Sequence, residues 1–322
     1  MATLFDDKPH PVPPYAYLRW KENYFFIIMD EKNGVFGISH INNEPLFNRS
    51  RFTLNLNIRG ERFEYASEIP FPENFALADE LTDGSFSLRF VENQKRFDLS
   101  LHNDDLTVDL VFLARRPVFD FAACRYSAPD AVSFQEIMTC GMNLPFNHQQ
   151  QSLTVSGTIA IKGKKKAHRI DGLGYRDHSW VMRADTLVRN HFWTGLNFPG
   201  RAFGVKAIEV MSRPGVWAKE GYVSDDDGDR ALTSIDVIPL GQRDGWPEVV
   251  QFELRDALGK KFHIHADVAG RHSDVQLVSE KASAENTYRI IETFCPLRLL
   301  EYGEEGSGLV EIGKHPSLFG QD

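Results

Sequence analysis

The sequence predicts an all-β protein made of two tandem antiparallel β-barrel or sandwich halves. Three observations predict it. Apolar residues recur with a period of two in short runs. Gly, Asn, Asp and Pro in hairpin-type links separate those runs. The 322 residues also exceed what one hydrophobic core ordinarily serves.

The first series of strands starts at residues 24–29, a run apolar on both faces, followed by the Asn33-Gly34 turn and the run 35–41. Strict alternation then marks 52–58, and Arg59-Gly-Glu61 links it to 63–67. Residues 85–91, 97–101 and 106–113 alternate in the same way, the last pair joined by His102-Asn-Asp-Asp105, so this half reads as an up-and-down meander. The second series opens with 152–161 and 167–173 around a solvated Lys162-Gly-Lys-Lys-Lys166 tip. It continues through 191–198, 202–210, 221–224, 234–238, 249–255, 261–268, 274–281, 288–293 and 308–312. Asp225-Asp-Asp-Gly228 lacks the further spaced ligands of a calcium loop and reads as an acidic hairpin turn. Two short stretches, 133–142 (with Glu136) and 296–301, have helical character. The expected domains are 15–150 and 151–316.

Net charge is −9, with no basic footprint of the kind that phosphate backbones require, so nucleic acid is excluded as a partner. Cys124, Cys140 and Cys295 are widely spaced and odd in number, which fits neither a disulfide framework nor a cysteine zinc site. No apolar run reaches membrane-spanning length and the first residues have no signal-peptide core, so the expectation is a cytoplasmic protein without a transmembrane segment. Oligomeric state is left open. Neither a Rossmann glycine fingerprint nor a Walker loop is present, so no cofactor is expected. His263-Ile-His265 lacks a third ligand at diagnostic spacing, and no metal is expected either.

Reactive side chains concentrate in Tyr175-Arg-Asp-His-Ser-Trp180, followed by His191-Phe-Trp193. In an extended chain Tyr175, Asp177 and Ser179 share one face, and Arg176, His178 and Trp180 the other. Asp177 beside an aromatic wall is a candidate proton donor; beside Arg176, Arg183 or His178 it is a structural anchor. Nothing around Ser179 resembles the G-x-S-x-G elbow of a serine hydrolase.

The segment Gly172-Leu-Gly-Tyr-Arg-Asp-His-Ser-Trp180, with the ending Gly306-Ser-Gly-Leu-Val-Glu311, resembles the lipocalin-like (calycin) superfamily that includes carotenoid 1,2-hydratase (hydroxyneurosporene synthase). The resemblance implies two lipocalin-like halves and an Asp and a His facing an apolar, ligand-holding interior. Val181 stands where relatives commonly have Gly. The resulting expectation is a cofactor-independent hydratase or dehydratase-type lyase, or an isomerase or cyclase, acting on a small apolar, isoprenoid- or polyketide-like substrate. Its catalytic residues would be Asp177 and His178. Tyr175, Arg176, Trp180, Phe192 and Trp193 would shape the cavity, and Glu311 occupies the acidic position of the family ending. The alternative is a non-catalytic binding protein for a hydrophobic small molecule, in which Arg176, Asp177 and His178 form only a buried network.

Overall fold

The computed structural model describes residues 7–14, 20–124, 147–182, 188–211, 214–275 and 288–318. The expected helix at 133–142, with Glu136 and Cys140, lies outside them, as do residues 276–281 of one expected strand. The described residues are nearly all β, and the chain divides into two compact units.

The first unit holds β1 (Trp20–Asp30), β2 (Val35–Glu44), β3 (Arg49–Ile58), β4 (Glu61–Ile69), β5 (Glu80–Thr82), β6 (Phe86–Glu92), β7 (Arg96–His102), β8 (Leu106–Ala114), β9 (Phe119–Asp120), β10 (Asn147–Ile161) and β11 (His168–Met182). They form one curled antiparallel sheet in the order β4-β3-β2-β1-β11-β10-β8-β7-β6-β5, with β9 on β10. Alternation in β3, β6, β7 and β8 sends Phe52, Leu54, Phe86, Leu88, Phe97, Leu99, Val108 and Phe112 to one face, where they pack with Tyr24, Phe26 and Ile28 of β1. Each such fully buried side chain contributes about 1.5–3 kcal/mol. The edge strand β4 carries Glu61, Arg62, Glu64 and Glu68, charges that discourage pairing with another chain.

The second unit holds β12 (Val188–Asn197), β13 (Ala202–Val210), β14 (Trp217–Asp225), β15 (Gly228–Leu240), β16 (Val249–Asp256), β17 (Lys261–Asp267), β18 (Ser273–Val275), β19 (Arg289–Leu299) and β20 (Glu304–Lys314). Its order is β17-β16-β15-β14-β13-β12-β20-β19-β18, and pairing of β17 with β19 closes eight of these strands into a barrel. Phe192, Phe203, Val205, Phe252, Ile264, Val310 and Ile312 fill it. Asp225 of the acidic turn is held by Arg230, which also bonds Asp256, so that turn is an ion-pair anchor.

Two expectations need correction. Residues 296–299 are strand, since Leu297 and Leu299 alternate inward and pair in register with β20. The expected start of a second domain at residue 151 also differs from the observed division, in which the described residues 147–182 join the first unit. The reason is that β11 pairs along β1, from Trp20↔Met182 to Met29↔Leu173, and β10 pairs with β8. Gly172 permits that close approach: a Cβ there would lie 2.3 Å from the Met29 carbonyl oxygen.

Candidate functional site

Register decides which side each reactive residue takes. On β11, Arg176 stands opposite Phe26, His178 opposite Tyr24 and Trp180 opposite Glu22, so all three share the face of the apolar core. Tyr175, Asp177 and Ser179 take the other face, opposite Ile27, Phe25 and Asn23 of β1 and Ser152, Gln150 and His148 of β10. The expected alternation therefore holds, but Asp177 and His178 are not brought together.

The core-side face holds a buried polar network. Glu22 is fully buried, and its Oε1 accepts from His178 Nε2 at 2.9 Å, His10 Nδ1 at 2.8 Å and Tyr24 OH at 3.0 Å. The His10 backbone N–H donates to Glu22 Oε2 at 3.0 Å. Burial alone raises the Glu22 carboxyl, but the hydrogen bonds and charges of His10 and His178 outweigh it and leave its pKa lowered. Burial pushes the His178 imidazole below its ordinary range. His178 stacks on Tyr24 at 4.2 Å, and Trp180 stacks on His10 at 3.9 Å. Arg176, also buried, reaches Asp7 at 2.8 Å and Gln151 Oε1 at 2.8 Å, with its guanidinium 4.7 Å from the centre of the Phe97 ring. Arg176 thus neutralises Asp7, not Asp177.

His10, Glu22 and His178 form a donor set of the kind zinc accepts. Their geometry is that of a hydrogen-bond network, since both imidazoles, a phenol and a backbone N–H converge on one carboxylate. His263 and His265 separate: His263 pairs with Glu301, and His265 with Gln251 Oε1 at 3.1 Å.

The opposite face of β11 carries a second cluster. Asp177 Oδ2 is bonded to His148 Nε2 and accepts from Gln150 Nε2 at 3.0 Å. Gln150 Oε1 in turn accepts from Tyr175 OH at 2.9 Å. All four side chains are buried, alongside Phe25 and Ile27. A carboxyl joined to an imidazole and flanked by apolar side chains can exchange a proton with a bound molecule, because imidazole titrates nearer neutrality than any other side chain.

The remaining expected residues belong to the second unit. Phe192 points into the barrel core and is 5.9 Å from the Trp217 ring, so it serves packing. Trp193 and Glu311 are cross-strand partners on the barrel's outer face, where Glu311 pairs with His191.

Sequence reasoning did not find Asp7, His10, Glu22, His148 or Gln150. The available signals were an acid two residues before the apolar run of β1 and the polar run His148-Gln-Gln-Gln151 within a strand.

The family described as a domain of unknown function, DUF7064, matches residues 3–316. No curated protein matches the chain. Among solved structures, kievitone hydratase from Nectria haematococca superposes with a TM-score of 0.60 at 13% identity, over 97% of this chain and 92% of that one. An AttH-like protein from Nitrosomonas europaea gives 0.61 at 15% identity, over 97% and 98%. CghA in complex with Sch210972 gives 0.64 at 11% identity, over 92% and 89%. The chain shares its fold with these proteins. No helix among the described residues is long and apolar enough to cross a membrane.

Proposed function

The chain belongs to the DUF7064 family, and we propose that it is a cofactor-independent lyase or isomerase that works by general acid–base chemistry on a small apolar molecule in the cytoplasm. The observation that carries this reading is the buried Asp177–His148 pair, oriented by Gln150 and Tyr175. Asp177 delivers a proton to the substrate, and His148 accepts the proton released by the incoming water or by the substrate carbon. His148 thereby takes the role that the sequence had assigned to His178. Phe25 beside the pair and the Tyr175 ring of the same face suit an isoprenoid- or polyketide-like skeleton, since ring faces stabilise developing positive charge. The hydratase activity in the names of the carotenoid enzyme and of the fold relative from Nectria haematococca supports the same reaction class.

The test is incubation of the protein with apolar metabolite fractions, followed by mass spectrometry. Hydration or dehydration changes the mass by one water, and cyclisation gives a new species of unchanged mass. Products that persist undiminished with Asp177→Asn contradict the assignment.

A second reading is a carrier. It is favoured by the pairing of Glu22 with His178 and of Arg176 with Asp7, which ties these buried charged groups to one another. It predicts a molecule that co-purifies and is never converted.

A further inference from the structure

Five residues of the second unit form one cross-strand row: Glu292 on β19, Glu311 on β20, Trp193 on β12, Lys206 on β13 and Glu220 on β14. Each stands directly opposite the next, so all lie on the barrel face turned away from the packed interior. Lys206 and Glu220 form a buried ion pair at 3.2 Å. At the other end two carboxyl groups, those of Glu292 and Glu311, stand directly opposite each other.

Glu292 is fully buried, and among the described residues no N–H or O–H donor reaches either of its oxygens; its cross-strand neighbour is Glu311. A carboxylate in that position would be an unpaired buried charge beside a like charge, which costs several kcal/mol. A proton on Glu292 removes both penalties, because the acid then donates to Glu311. Burial and the Glu311 charge accordingly raise the Glu292 pKa well above its ordinary value.

Glu311 is fixed from its other side. His191 Nε2 bonds Glu311 Oε1, and Tyr288 OH lies 2.5 Å from His191 Nδ1. Burial and the charge of Glu311 keep Tyr288 protonated. The His191 ring thus bridges the Tyr288 hydroxyl and the Glu311 carboxyl through its two nitrogens. Gly313 makes room for this stack, since a Cβ there would fall 2.3 Å from His191 Nδ1 and 2.6 Å from the Tyr288 ring.

We propose that Glu292 and Glu311 form a proton-sharing acid dyad on the second unit, with Glu311, its partly exposed member, facing the bound ligand and Glu292 acting as the positioning residue that stores the proton. Sharing one proton leaves the pair with a single negative charge, which repels anionic ligands. The ligand class is therefore a neutral apolar molecule bearing a hydroxyl or carbonyl oxygen, set beside Trp193. For a hydroxyl, the proton moves from Glu292 to Glu311 and on to the oxygen. The C–O bond breaks with its electron pair leaving on water. The neighbouring carbon then returns a proton to the pair as the C=C bond forms, which restores the starting state. The dyad stands on observations independent of Asp177.

The test is carbon NMR of the intact protein with glutamate labelled at Cδ. At neutral pH a protonated-carboxyl resonance is expected that disappears in Glu292→Gln and moves in Glu311→Gln. Acetophenone, a neutral carbonyl probe, should shift it, and benzoate should not. Absence of the resonance from the native protein, or its survival in Glu292→Gln, overturns the dyad. Indifference to acetophenone, or an equal response to benzoate, overturns the ligand site. If Glu292→Gln does not fold, the Glu311→Gln spectrum decides, an unmoved resonance being the contrary result.

Discussion

Asp177 and His178 are consecutive in the chain and lie on opposite faces of β11, Asp177 bonded to His148 and His178 to Glu22. One strand therefore serves two environments. On the core side His178 bonds Glu22 through Nε2; on the other side Asp177 is held by an imidazole and an amide. The division of labour between the two residues produces separate predictions.

His148→Gln should lower turnover by about 10²–10⁴-fold, the usual range for loss of an acid–base partner, a loss larger than its effect on melting temperature explains. His178→Gln should do the reverse. Parallel rate and melting measurements check this, and equal rate losses in both variants would contradict the division.

Glu22→Gln leaves His10, His178 and Tyr24 aimed at an oxygen that no longer carries charge. Breaking a buried network of this kind costs about 3–5 kcal/mol, readable in urea unfolding.

The same network sets an acid limit. Both Glu22 and His178 have folded-state pKa values below their ordinary values of 4.5 and 6.5. In each case the unfolded chain takes up protons first, so their stabilising contribution is present at higher pH and is lost as pH falls, beginning below 6.5 for His178 and below 4.5 for Glu22. Unfolding free energy measured against pH should show this decline, and Glu22→Gln should flatten its lower part.

Glu292 has the opposite sign. Its folded-state pKa is raised above 4.5, so the folded protein binds the proton more tightly. Its contribution is complete below 4.5 and is lost as pH rises through the raised value. Glu292→Gln, permanently neutral, should gain on the native protein in unfolding free energy as pH increases.

Gly313→Ala places a methyl group against His191 and Tyr288. Overpacking of this kind costs about 1–3 kcal/mol. Calorimetry should show the loss, and the Glu292 resonance should move because Glu311 loses its fixed partner.

Most of the strands were legible because one-sided burial imposes a period of two, and the same period puts Asp177 and His178 on different faces. Their partners were not legible. Glu22 and His178 are 156 residues apart, and Asp177 meets His148 only because β10 runs beside β11. The resemblance to carotenoid 1,2-hydratase implied a shared interior for Asp177 and His178, which this register does not provide. The domain boundary was hidden for the same reason: nothing local tells β11 that it will pair with β1. At 296–299 proline and a short run suggested a helix, but long-range pairing with β20 prevailed.

Conversion of an apolar substrate by the native protein and by Asp177→Asn, followed by mass spectrometry, tests the central claim most directly. The account predicts a product differing by one water, or an isomer of equal mass, that falls to background in Asp177→Asn while the variant keeps its circular dichroism spectrum. Undiminished product from a folded Asp177→Asn would contradict it.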